Sequence, residues 1–158
     1  MINISLLKKT VFVIAIIVLL PQPGSSQNNV EPRYKVGQVW SYKTRPSEEQ
    51  STITIVKLET DPKLGKIVHI SVTGLKIKTP NSELDYTTDI GHMPFAEKAI
   101  DKSVVKLINE NGDLPNYEEG YAEWRHEFEE NKAGIYKITI AEAIAKAEKH
   151  LKNLGERK

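Results

Sequence analysis

The chain contains no cysteine, which removes disulfide frameworks, thiol nucleophiles, dithiol redox motifs and cysteine-based zinc sites together. A lipid anchor built on a cysteine at a cleavage point is excluded for the same reason. Charge of one sign is also lacking: the formal net charge is +1, and acids and bases are interspersed along the chain. That balance offers no electrostatic footprint for nucleic acid or for an anionic membrane surface. Familiar catalytic signatures are missing too. There is no Gly-x-Ser-x-Gly elbow and no His-Glu-x-x-His helix, and Leu64-Gly65-Lys66 lacks the earlier glycine and the hydroxyl residue of a phosphate loop. Asp85 and Asp89 are not set in a calcium-loop pattern. The histidines at 69, 92, 126 and 150 are scattered without ligand spacing, so neither a metal nor a cofactor is expected.

What is present begins with an address. Lys8 and Lys9 close a basic segment, Thr10 to Leu20 form an apolar run, and Pro21 to Ser26 supply a breaker and small residues. This order reads as a secretory signal peptide over 1–26, cut after Ser26, and places the remainder in the periplasm or the exterior. The run is shorter than the roughly 20 apolar residues of a membrane span. A permanent anchor would have to recruit Ile2 to Leu7 and bury both lysines, so no integral span is expected in the mature chain. Residues 27–34 then form a polar lead-in, 35–155 a single domain and 156–158 a tail.

Within that domain the spacing predicts four sequential strands. Val39 to Lys43 puts Trp40 and Tyr42 on one face, and Thr52 to Glu59 is rich in β-branched residues. Asp61-Pro62-Lys63-Leu64-Gly65 is a turn, after which Val68, Ile70 and Val72 alternate with Ile67, His69 and Ser71. Leu75 to Lys78 continues the meander. Thr79 to Pro94 has no clear period and reads as a long loop, a place where function concentrates. Phe95 to Ile108 reads as a helix stopped by Asn111-Gly112. A second helix, Tyr117 to Asn131, opens on an Asn116/Glu119 capping box. Ile135 to Thr139 reads as a fifth strand, and Thr139 with Glu142 caps a last helix from Ile140 to Leu154. The expected fold is α+β: an antiparallel sheet of about five strands, four in a meander and one later, with three helices covering one face.

Aromatics are scarce, at 7 % of the chain, so a concentration of them carries information. Tyr117, Tyr121, Trp124 and Phe128 share one sector of the second helix. Packing over the sheet accounts for most of that stripe, and its tyrosine end can also line a groove. The opposite face gathers Glu119, Glu123, His126 and Glu130; the Glu123-x-x-His126 spacing has no second copy to complete a di-metal site and reads as a solvated face. His69, in mid-strand, reads as a structural residue. His92, in the long loop, is the more functional of the histidines.

From these features the expected function is a non-catalytic binding or inhibitory module acting on a protein or a small apolar ligand. The candidate binding residues are Tyr86, Asp89, His92 and Met93 from the loop, with Tyr117 and Tyr121 from the helix. The alternative is a small extracytoplasmic hydrolase with His92 or His69 as base and Asp85 or Asp89 as its orienter.

Overall fold

The computed structural model describes residues 33–78 and 86–155. The expected signal peptide, most of the lead-in, Asp85 and the tail lie outside the described residues. The elements run β1 (Val39–Tyr42), β2 (Thr52–Asp61), β3 (Gly65–Thr73), β4 (Ile77–Lys78), β5 (Tyr86–Thr87), β6 (Ile90–Ala96), α1 (Glu97–Ser103), β7 (Val104–Asn109), α2 (Glu118–Glu129) and α3 (Ile140–Gly155). Five strands form an antiparallel sheet in the order β6-β3-β2-β1-β7, and β4 and β5 pair as a separate ribbon. The fold is α+β, with a five-stranded antiparallel sheet and three helices. None of the helices among the described residues is long and apolar enough to cross a membrane.

The first three strands follow the local pattern. At the β2–β3 reversal, Asp61 Oδ1 accepts from the backbone N–H of Lys63 and Leu64, each at 2.8 Å, and Gly65 takes a positive φ of 76°. The chain then departs from a simple meander. Gly74, at φ 75°, turns it away with its backbone against Ser51, where a Cβ would meet the Ser51 Cα at 3.1 Å. Ile77–Lys78 therefore leaves the main sheet and pairs with Tyr86–Thr87.

The fourth place in the sheet goes to β6, inside the segment expected to be a loop. Pro94 hid it, because proline reads as a strand breaker. Here β6 is an edge strand: the Pro94 carbonyl accepts from Tyr136 N–H at 2.9 Å on the outward side. The missing N–H of Pro94 falls on that same side and costs no ladder bond. The expected strand at 135–139 reduces to one parallel bridge between Phe95 and Tyr136 on this edge.

The expected helix from Phe95 to Ile108 is also divided. Only Glu97–Ser103 is helical, and the β-branched Val104 and Val105 open β7, which pairs with β1 at the far edge. A flat five-stranded sheet would set its edges about 19 Å apart. Seven helical residues rise only about 10 Å, so the sheet must curl for α1 to link β6 to β7.

The core fills one face of that curl. Ile53, Ile55, Val68, Ile70, Val72, Met93 and Phe95 project into it, covered by Ala99 and Ile100 of α1 and Ile140, Ala143 and Ile144 of α3. Helix α3 starts on the expected cap, where Thr139 N–H donates to Glu142 at 2.8 Å and Glu142 N–H reaches Thr139 Oγ1 at 3.4 Å. A second tie was not legible. The buried Ser103 hydroxyl donates to Ala99 O at 2.7 Å and accepts from Ile140 N–H at 3.0 Å, joining the end of α1 to the start of α3. The helices do not all share this face. Helix α2 lies against the opposite one, where His69 of β3 projects, and Trp124 and Tyr121 contact that ring. It is also not capped by Asn116: its N-cap residue is Tyr117, with no side-chain cap bond.

Removing the Ser103 hydroxyl strands a buried N–H at Ile140. Ser103→Ala should lower unfolding free energy by about 1 to 3 kcal/mol in denaturant melts. Thr139→Ala, which frees only solvent-accessible groups, should lower it by about 1 kcal/mol.

Candidate functional site

On the α2 face the sheet brings together residues that are far apart in sequence. His69 of β3 and His92 of β6 lie on adjacent strands, with His69 Nδ1 2.9 Å from His92 Nε2 and the rings stacked at 5.1 Å between centroids. His69 is fully buried. Its other nitrogen, Nε2, has no well-aligned hydrogen bond, although Glu59 Oε2 lies 3.5 Å away at ion-pair distance.

Glu59 reaches this face through an irregularity in β2. Ile53 and Ile55 point into the core opposite Val72 and Ile70, but the register shifts at Val56 and then pairs Lys57 with His69 and Glu59 with Ile67. The extra residue moves Lys57 and Glu59 from the core side to the histidine side. There the Tyr121 hydroxyl donates to Glu59, Arg125 Nη1 lies 3.5 Å from its Oε2, and Lys57 Nζ sits 4.8 Å over the Tyr121 ring.

Trp124 closes the cluster. It is 8 % exposed, lies 4.9 Å from the His69 ring centroid and 4.9 Å from that of Phe128, and donates from Nε1 to Gly134 O at 2.9 Å. A tight approach by α2 permits this: a Cβ at Gly120 would meet the His92 Cβ at 3.0 Å.

Both imidazoles are held neutral. Burial, opposed by Glu59, lowers His69 from 6.5 to about 4. Burial and the neighbouring His69 lower His92 to about 4 as well. Tyr121 moves the other way, pushed up to about 12 by desolvation and by its bond to Glu59, so it remains a donor.

Beside the cluster runs a groove of about 300 Å³ walled by His92, Pro94, Trp124 and Tyr136, with Glu123 and Glu127 among its lining residues. It shares Pro94, Trp124 and Tyr136 with a second hollow of about 370 Å³ that extends past Ala133 and Gly134. Among the described residues, no group of three or more His, Asp or Glu side chains is arranged to hold a metal ion.

Of the residues singled out from sequence, His92 and Tyr121 meet, with ring centroids 5.7 Å apart. Met93 is buried in the core on the other face and also borders the groove. The others lie elsewhere. Tyr86 sits on the β4–β5 ribbon, 44 % exposed, and Tyr117 is the N-cap residue of α2. Asp89 accepts from the Thr88 hydroxyl at 2.7 Å and bonds neither histidine. Glu123 and His126 are exposed, and His126 lies 3.6 Å from Glu130. Glu59, Lys57 and Arg125 were not singled out. The one local signal for the first two is charge at alternate positions of a strand otherwise apolar, and the face they occupy depends on the bulge.

Comparison with known proteins adds no relative: no family model matches the chain, and no curated protein or solved structure matches it either.

Two outcomes follow from this geometry. Trp124→Ala should destabilise by about 3 to 5 kcal/mol, and Glu123→Ala by about 0.5 kcal/mol or less, in the same melts. The depressed histidines contribute stability that is complete above pH 6.5 and is lost as pH falls toward about 4, because the unfolded chain binds their protons first. Melts across that range should show a shallower loss for His92→Gln than for the parent. Lys57, Glu59, Tyr121 and Arg125 face the pair in both proteins.

Proposed function

We propose that the protein is an exported, non-catalytic binding or inhibitory module, and that its partner, a protein segment or a small apolar molecule, docks in the groove beside His92 and Trp124. The export rests on the basic, apolar and small-residue order of residues 1–26. The observation that carries the binding role is the groove itself, whose aromatic and proline walls suit an apolar ligand. It adjoins the aromatic cluster, and Trp124, buried and stacked on Phe128, forms its wall with Pro94 and Tyr136 without contribution from a ligand.

The hydrolase alternative asks for a histidine oriented by a carboxylate of the 79–94 segment. His92 is instead bonded to His69, and Asp89 to Thr88.

Nile red, a neutral apolar dye, tests the reading directly. Its emission should rise saturably on adding the protein. Gly134→Trp should weaken that response by about tenfold or more while leaving the thermal midpoint in place, since a side chain there enters open space in the hollow. A dye response indifferent to the tryptophan would take the hollow at Gly134 out of the site, and the absence of a saturable rise would remove the groove from consideration. Turnover of p-nitrophenyl acetate that disappears in His92→Gln would replace the binding role with the hydrolytic one.

A further inference from the structure

Glu59, His69 and His92 run in sequence across the α2 face, from a partly exposed carboxylate through a buried ring to the groove, and their spacing sets where each imidazole proton resides. Glu59 Oε2 lies 3.5 Å from His69 Nε2. That nitrogen therefore carries the proton, because a lone pair there would face a carboxylate in a space closed to water. With its proton on Nε2, His69 offers the Nδ1 lone pair, and His92 donates to it from Nε2 across 2.9 Å. The Nδ1 of His92 is then an acceptor. Among the described residues it has no hydrogen-bond partner, and it is not among the buried atoms left unsatisfied, so it is open to a ligand.

His92 lines the groove together with Glu123 and Glu127. Resting on the groove reading above, we propose that the ligand carries a primary ammonium or guanidinium group on an apolar body. Its N–H donates to His92 Nδ1, Glu123 and Glu127 supply the opposite charge, and the apolar body lies along Pro94, Trp124 and Tyr136. A protonated amine is the chemistry that suits a groove lined by an acceptor nitrogen and two carboxylates, and the Trp124 ring adds a cation-attracting surface. Glu59 and His69 are positioning residues: they touch no ligand and hold His92 in its accepting tautomer. The low affinity of His92 for protons keeps that acceptor neutral at neutral pH.

The test titrates the full chain with n-octylammonium chloride and, in parallel, with n-octanol, following the histidine ring nitrogens and the Trp124 indole by ¹H–¹⁵N spectroscopy. Before ligand is added, His69 and His92 should both carry the proton on Nε2, and Glu59→Gln should mix the His92 tautomers. Octylammonium should bind at least about tenfold more tightly than octanol and move His92 Nδ1. The double variant Glu123→Gln, Glu127→Gln, which alters only exposed side chains, should shrink that preference at an unchanged thermal midpoint. Equal affinity for the two probes would overturn the cationic ligand and leave the groove standing. Binding of neither would overturn both. A His92 proton found on Nδ1 in the free protein would remove the positioning role of Glu59 and His69 and the inference with it.

Discussion

An imidazole sealed into the middle of a sheet must find a hydrogen-bond partner within the protein, because leaving it unmade costs about as much as a large part of a small domain's net stability. His69 occupies that position on β3, and much of the α2 face can be understood as its consequence. His92 must stand beside it, which requires β6 to be in the sheet and to hold its register through Pro94 and Phe95. Helix α2 must cover the pair, which requires Gly120 against His92 and Trp124 over His69. Glu59 must arrive from β2, which requires the bulge at Val56.

The two faces of the sheet are therefore stabilised by different physics. On one, aliphatic side chains from the strands meet α1 and α3, and burial of apolar area supplies the driving force. A buried hydroxyl, Ser103, aligns the two helices there. On the other, α2 is held by ring contacts, by the indole bond to Gly134 and by charged groups gathered around Glu59. Such a network specifies geometry more narrowly than it adds stability. It also gives the α2 face a closely packed set of rings, next to a groove whose lining includes the exposed Glu123 and Glu127.

That difference bears on function. A site built on strands is held more firmly than one built on a loop, and His92 turned out to be on a strand. Its ring is fixed by His69 on one side and by the approach of Gly120 on another. Tyr86, by contrast, has no such support: it is paired with Lys78 on the ribbon and open to solvent.

What the sequence determined alone was whatever depends on near neighbours. The α+β class, the β2–β3 turn at Asp61 to Gly65, the Thr139/Glu142 cap and the burial of Trp124 were legible because turn chemistry, capping and helical periodicity act within a few residues. The meeting of His92 with Tyr121 was half legible, since each stood out by its own chemistry but not by its contact. Only the tertiary structure decided that Ile90 to Ala96 is a strand despite Pro94, that Val104 to Asn109 leaves a helix to pair with β1, and that α2 takes the opposite face from α1 and α3. It alone decided that Glu59 faces His69, because one extra residue at Val56 inverts every side chain that follows it in the strand. Those outcomes rest on pairings between residues tens of positions apart, and a strand's partner and the face it buries are properties of the assembled sheet.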